Sequence, residues 1–412
     1  MANPGDTPAV HEPPHLLSLP PNVLLNIAEN FVDEEDTSSL LSLIFSHRRL
    51  YEIVGPVLSQ TIRAGHKTWP SAALKYILRK LRDEAIPIPL NIDVESIKRL
   101  DLYDVGLKTP SPLSGQDMAD LITRLPQLKT LRLFTFPMMA AQAILDSLFK
   151  SELEDVDIRG PVSPYVHVPS GPITWKPKRL VWMVIERYPN PAGLLIEVLE
   201  ALHSTLEILV FDSSGLAGDR GLSTVMEPPF PKLRSLGLHT YKHTVVGTDH
   251  PLLQALYRSN LLTHLSIDTN IFDRERQPSP EGLEIPFIPA LRTMTWTMAE
   301  KASKEQKKRS PFHNAPPLCE MDMLFLTQFL ELNTQITGIS IGNDLSQPTF
   351  ERLLRIISFN LRRLTHLSCR LELEEELTER AVRLLTQMRC LEHLHIGTSD
   401  ERDFMDVSGD QA

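Results

Sequence analysis

The feature that most restricts what this 412-residue chain can fold into is a short apolar pattern that returns at an almost constant interval. Eleven segments read aliphatic-x-x-aliphatic-x-aliphatic: SIKRLDL, QLKTLRL, ELEDVDI, RLVWMVI, TLEILVF, KLRSLGL, LLTHLSI, ALRTMTW, QITGISI, RLTHLSC and CLEHLHI. Their fourth positions are Leu100, Leu131, Val156, Met183, Leu209, Leu236, Leu265, Met294, Ile339, Leu367 and Leu394, at intervals of 31, 25, 27, 26, 27, 29, 29, 45, 28 and 27 residues. Side chains alternate across a strand, so the fourth and sixth positions place two apolar groups on one face and leave the residue between them on the other. Between the segments lie stretches with helical spacing of apolar residues, 141–149, 192–203, 321–332, 350–359 and 377–388. No strand-plus-helix unit of this size can bury its own apolar face. The units must stack, which predicts an α/β architecture with parallel strands inside an arc and helices outside.

The stretch 92–398 resembles the leucine-rich-repeat family, whose repeats of roughly 20–29 residues carry this pattern. The resemblance implies a solenoid of about eleven repeats, and an irregular one. The asparagine usual three residues after the last aliphatic position stands only at Asn270; Val105, Phe136, Pro161, Tyr188, Ser214, Tyr241, Ala299, Asp344, Glu372 and Ser399 occupy the other sites. The 45-residue interval holds an insertion, 299–317, whose sequence AEKASKEQKKRSPFHNAPP is polar and rich in breakers, and a loop is expected there. Its lysines and Arg309 form a basic cluster, read either as a plain solvated loop or as a nuclear-import signal. Residues 1–14 and the acidic 399–412 are expected to be disordered tails.

Residues 15–62 follow a different grammar. Pro20 and Pro21 suit a first helical turn, after which Leu24, Ile27, Ala28 and Phe31 recur at helical spacing. The DEED run closes that helix, a second carries Leu40, Leu41, Leu43 and Ile44, and a third runs through Leu50, Tyr51 and Val54 until Gly55-Pro56 breaks it. A module this short buries little surface unaided, and its apolar residues on more than one face call for a partner. The opening Leu-Pro, the SLLSL run and SHRRLYEIVGPVL together resemble an F-box of fungal type. That resemblance implies a three-helix module that docks on the Skp-family adaptor of a cullin–RING ubiquitin ligase. The contacts carried over fall on Leu19, Pro20, Leu24, Leu25, Ile27 and Phe31, with Leu40, Leu43, Leu50 and Tyr51 shared between interface and module core. If these helices only capped the first repeat, they would duplicate the amphipathic stretch 70–82, which lies within the linker 63–91 and is better placed for the task.

Chemistry leaves little trace in the sequence. There is no GxxxxGK[ST], GxGxxG, GxSxG or HExxH, so no catalytic residue and no cofactor is assigned. Cys319, Cys369 and Cys390 include no CxxC, which removes a disulfide framework and a cysteine-based zinc module. His366, His393 and His395 would share one face of adjacent strands, close enough to suggest a metal; plain exposed strand residues are the simpler reading. The formal charge of −10, with 42 Lys+Arg against 52 Asp+Glu, disfavours nucleic acid and anionic lipid as partners. A secretory leader and a membrane-spanning run are missing from the pattern, so a cytoplasmic or nuclear protein is expected.

By strand parity the open face should present Trp182, Val184, Ile208, Val210 and Phe134, with Arg132, Asp157, Arg159, Glu186 and Asp212 around them. An apolar patch with a charged rim suits a protein target, unless the proline-rich 160–178 folds over it. Taken together, the expected function is a non-catalytic substrate receptor of a ubiquitin ligase of the SCF type. The alternative is a leucine-rich-repeat scaffold unconnected with ubiquitin transfer.

Overall fold

The computed structural model describes residues 16–33, 42–43, 46–64, 71–84, 93–103, 114–134, 141–160, 166–169, 173–184, 192–212, 229–239, 256, 258–268, 285–297, 320–371 and 377–398. Twelve strands among them form one sheet: β1 (Thr61–Ala64), β2 (Arg99–Tyr103), β3 (Thr130–Phe134), β4 (Asp155–Gly160), β5 (Arg179–Val184), β6 (Ile208–Asp212), β7 (Ser235–His239), β8 (His264–Asp268), β9 (Thr293–Thr297), β10 (Gly338–Leu345), β11 (His366–Leu371) and β12 (His393–Thr398). The strand order equals the chain order and every pair is parallel. A parallel partner always in the next unit of sequence is the order that stacking of strand-plus-helix units generates.

Register carries one core row straight across the sheet. Ile62 pairs with Leu100, and the row continues through Leu131, Val156, Leu180, Leu209, Leu236, Leu265, Met294, Ile339, Leu367 and Leu394. The pattern predicted this row at every unit but the fourth, where Leu180 and not Met183 is the aligned residue. The physical reason is Pro177, which is buried where the other units carry an aliphatic residue three places before the row. A search for an aliphatic residue there passes it over and slides on by three. The sheet also begins earlier than the predicted repeat stretch, because Thr61–Ala64 pairs with Arg99–Leu102.

Each junction is built alike. The carbonyl of Lys98 accepts from the N–H groups of Lys129 and Thr130 at 2.8 and 3.0 Å, and the forked bond recurs through to Thr365, whose carbonyl accepts from Glu392 and His393, both at 2.9 Å. One turn earlier, the N–H of Leu262 donates to the Ser259 carbonyl, and equivalent bonds join Leu291 to Ile288, Ile336 to Asn333, Leu364 to Leu361 and Leu391 to Met388. These turns therefore line up along one rim of the sheet.

Among the described residues the α-helices are α1 (Pro21–Asp33), α2 (Arg48–Gln60), α3 (Ser71–Leu81), α4 (Gly115–Arg124), α5 (Ala141–Leu148), α6 (Ala192–Leu202), α7 (Glu320–Leu332), α8 (Gln347–Asn360) and α9 (Glu379–Gln387). Leu121, Leu148, Leu199, Phe329, Leu353 and Ala381 join the strand core rows in one continuous cluster, so α4 to α9 cover one face of the sheet. Fully burying each of these leucine and phenylalanine side chains stabilises the fold by roughly 1.5–3 kcal/mol before chain entropy is counted. Helix α2 continues past Gly55-Pro56, contrary to the expected break. A proline removes one helical hydrogen bond, and here the last turn is held by the sheet: the N–H of Lys98 donates to Gln60 O at 2.8 Å. Residues 1–14, the insertion 299–317 and 399–412 lie outside the described residues.

The 45-residue interval is closed by a buried asparagine. Asn333, 0% exposed, accepts from the Ile288 N–H at 2.8 Å and donates to the carbonyls of Pro286 and Phe329 at 3.0 and 2.9 Å. This ties the lead-in to β9 to the end of α7. Asn333→Ala leaves two or more of these groups buried without partners and should cost about 1–3 kcal/mol. Urea unfolding would measure it, and an unchanged midpoint would contradict the role assigned to this side chain.

Candidate functional site

Two surfaces were expected to bind partners, one on the N-terminal helices and one on the open face of the sheet. Helices α1 and α2 meet through Leu24, Ala28, Leu50 and Val54, at most 1% exposed, in a cluster separate from the main core. Leu19, Leu25, Leu43 and Ile53 pack at its margin. Leu24 and Leu50 thus hold the helix pair together. For Leu24 this corrects its expected role as a docking contact, because it shares the i, i+4 stripe of Ala28 that faces α2.

A second stripe remains available. Pro20, Val23 and Ile27 recur at i, i+3 and i+7; Pro20 is exposed and the other two are half-buried, while Leu16 just ahead of them is 39% exposed. Leu16 was not singled out from the sequence, although it opens the same LLSLP run. The side chains of Phe31 and Tyr51, and Leu40 altogether, lie outside the described residues.

On the open face, Arg132, Phe134, Ile208 and Val210 occupy the predicted rows. Trp182 does not. It pairs in register with Ile158 and Phe211, is 2% exposed and belongs to the helix-covered core. Shifting a strand by three residues exchanges its faces, so Val181 and Met183 take the open-face positions expected of Trp182 and Val184. Val184 pairs with Gly160, and its side chain, with those of Asp212 and Glu186, lies outside the described residues. The described part of the proline-rich connection packs into the core: Trp175 Nε1 donates to Leu153 O at 3.0 Å and meets Phe149 edge-on at 5.5 Å.

Around Arg132 the open face is ionic. Arg132, 6% exposed, lies in register between Asp101 and Asp157, at 0% and 1%. Asp101 accepts from Arg99 Nε at 3.0 Å, Asp157 accepts two bonds of 2.9 Å from Arg159, and Asp155 accepts from Arg179 at 2.7 Å. The Arg159 guanidinium also stands 5.1 Å over the Phe134 ring. From β7 onward the rows change to small and polar side chains. Gly237 is required there, because a Cβ would come within 2.9 Å of Val210.

The three histidines expected to share a face lie on the last two strands. His366 and His393 are register partners whose rings stack at 4.4 Å, and His395 pairs with Ser368. Near-parallel rings do not aim their nitrogens at one point. Among the described residues no group of three or more His, Cys, Asp or Glu side chains is arranged to hold a metal ion.

The Thr365 hydroxyl reaches the Thr337 carbonyl at 3.1 Å. The same hydroxyl lies 2.7 Å from His366 Nδ1, so hydroxyl and ring share one hydrogen bond. Thr263 and His264 repeat the arrangement, and burial lowers the His264 pKa, favouring its neutral form. Cys369 lies in a core row, and burial pushes its thiol up to about 12, which deprives it of nucleophilic character at neutral pH.

No protein-family model matches the chain, and no curated protein matches it either. Among the described residues, no helix is long and apolar enough to cross a membrane.

Proposed function

We propose that the chain is a substrate-recognition subunit of a cullin–RING ubiquitin ligase of the SCF type. In this reading α1 and α2 belong to an F-box that takes a Skp-family adaptor, and the sheet with its helices is a leucine-rich-repeat solenoid whose open face takes the target protein. The chain itself performs no chemistry; it joins a target to the ligase, in the cytoplasm or the nucleus. The observation that carries the reading is the helix pair with its own small core, beside which the stripe of Leu16, Pro20, Val23 and Ile27 stays partly or fully accessible. A surface of that kind in so short a module is supported best by a partner. The target surface in this reading centres on Phe134, Ile208 and Val210, joined by Met183 in place of the buried Trp182; Arg132, expected to take part, is instead buried in register between Asp101 and Asp157.

The test is titration of a purified Skp-family adaptor into the purified chain by calorimetry. Binding is expected, and Leu16→Ser with Ile27→Ser should weaken it by at least roughly tenfold, since truncating an interface anchor costs about 1–3 kcal/mol. Neither residue belongs to the helix-pair cluster, so the circular dichroism of the variant should match the parent. Leu24→Ala is unsuited to the test because it would loosen that cluster. No heat with the parent, or equal affinity for the variant, would remove the F-box assignment.

A further inference from the structure

The large apolar side chains that stay exposed are unevenly distributed. Of seven among the described residues, one is Leu16 near the N-terminus and the other six fall between Leu261 and Leu394. Four of these, Leu261, Phe287, Leu332 and Phe359, are 52%, 53%, 47% and 77% exposed. All four stand at or just before the repeated turn that leads into β8, β9, β10 and β11, one in each unit. Because those turns are stacked by the strand register, the four side chains run along one rim of the sheet. Asn333, the residue after Leu332, bonds the residues on either side of Phe287, which fixes the segment of Phe287 to the end of the helix that carries Leu332.

The same rim carries unpaired charge of one dominant sign. Arg258, Arg362, Arg363 and Arg389 are exposed at the turns, and none forms an ion pair among the described residues. Arg292 lies exposed on the following rung, against the acids Glu331 and Glu392. In a chain with a formal charge of −10 this is a local reversal of sign. The turns of earlier units, such as Pro126-Gln127 and Pro231-Lys232, carry no exposed large apolar side chain.

We propose that this rim is a docking strip for an acidic segment of another protein that bears aromatic or aliphatic side chains between its carboxylates. Apolar anchors one unit apart take the partner's apolar groups, and the arginines between them pair with its acids. The four anchors span three strand spacings of about 4.8 Å, a strip roughly 14 Å long at the sheet, enough for about four extended residues. The strip is separate from both surfaces of the ligase reading, so it stands whether or not the chain carries an F-box.

The probe is a short fluorescein-labelled peptide alternating glutamate with leucine or phenylalanine, followed by fluorescence anisotropy on the full chain. Saturable binding that weakens with added salt is expected, with little binding of the same peptide carrying lysine for glutamate. Phe287→Ser with Phe359→Ser, and separately Arg362→Glu with Arg363→Glu, should each weaken binding at least tenfold while the circular dichroism stays that of the parent. Undiminished binding by both double variants, or equal binding of the lysine peptide, would overturn the proposal. So would either rival occupant: variant-sensitive binding to phosphatidylserine vesicles without peptide binding, or variant-sensitive self-association in sedimentation, which would assign the rim to a membrane or to a second copy.

Discussion

Trp182→Ala should destabilise the protein by about 3–5 kcal/mol, the range for truncating a large buried aromatic side chain, whereas Met183→Ala should cost a small fraction of that. The contrast follows from register. Trp182 lies between Ile158 and Phe211 in a row sealed beneath the helices, while Met183 is half-buried on the open face. Chemical unfolding followed by tryptophan-independent circular dichroism would measure both, and the reverse order of effects would restore the repeat frame that places Met183 in the core row. The pair of variants separates two alignments that differ by three residues.

Asp157→Ala should be the next most damaging change, at about 1–3 kcal/mol, because it leaves the buried Arg132 beside a vacated carboxylate position, while Arg159, 37% exposed, can turn to water. Asp157 is 1% exposed and accepts both bonds from Arg159, and its register neighbour Arg132 is 6% exposed. Raising the salt concentration should change this effect little, since buried charges are poorly screened. The pair of Glu154 and Lys178 is the comparison. Their 2.7 Å bond holds the Glu154 carboxyl below its ordinary range, yet the side chains are 43% and 62% exposed, so Glu154→Ala should leave stability within experimental scatter. Equal losses from Asp157→Ala and Glu154→Ala would show that burial is not what distinguishes the two.

Much of this architecture was legible because its signal is repetition. Stacked units need an aliphatic residue at the same strand position each time, so Leu100, Leu131 and their equivalents declare themselves by interval, and the amphipathic stretches between them declare the helices. Departures occurred where chemistry other than aliphatic burial fills the position. Pro177 is buried without being aliphatic, so the apolar pattern is broken at that position. Strand β1 has four residues, too few to carry the full pattern, and is recognised only by its pairing with β2. Helix α4 is capped by Ser114, whose hydroxyl accepts from the Asp117 N–H while the Asp117 carboxylate accepts in return, a start signal written in the sequence as S-x-x-D.

The binding surfaces were harder to read than the fold. Leu24 and Leu50 are spaced as well for a partner as for each other, and only the packing of α1 on α2 decides between these uses. The open-face row failed at one unit alone, but there an odd shift exchanged Trp182 for Val181 and Met183 and removed the anchor on which the patch was centred. The rim of Phe287, Leu332 and Phe359 gave no periodic signal, because its members lie at slightly different offsets from their strands and become a stripe only when the turns are stacked.

The central claim is that the chain couples a ligase to a target, and capture from cells tests it most directly. Tagged parent chain and the Leu16→Ser, Ile27→Ser variant would be isolated and their partners quantified by mass spectrometry. The account predicts a Skp-family adaptor and a cullin with the parent, their loss from the variant, and retention by both of the partners held through the sheet. Recovery of those partners with no adaptor or cullin on the parent would contradict it and leave a repeat scaffold unconnected with ubiquitin transfer.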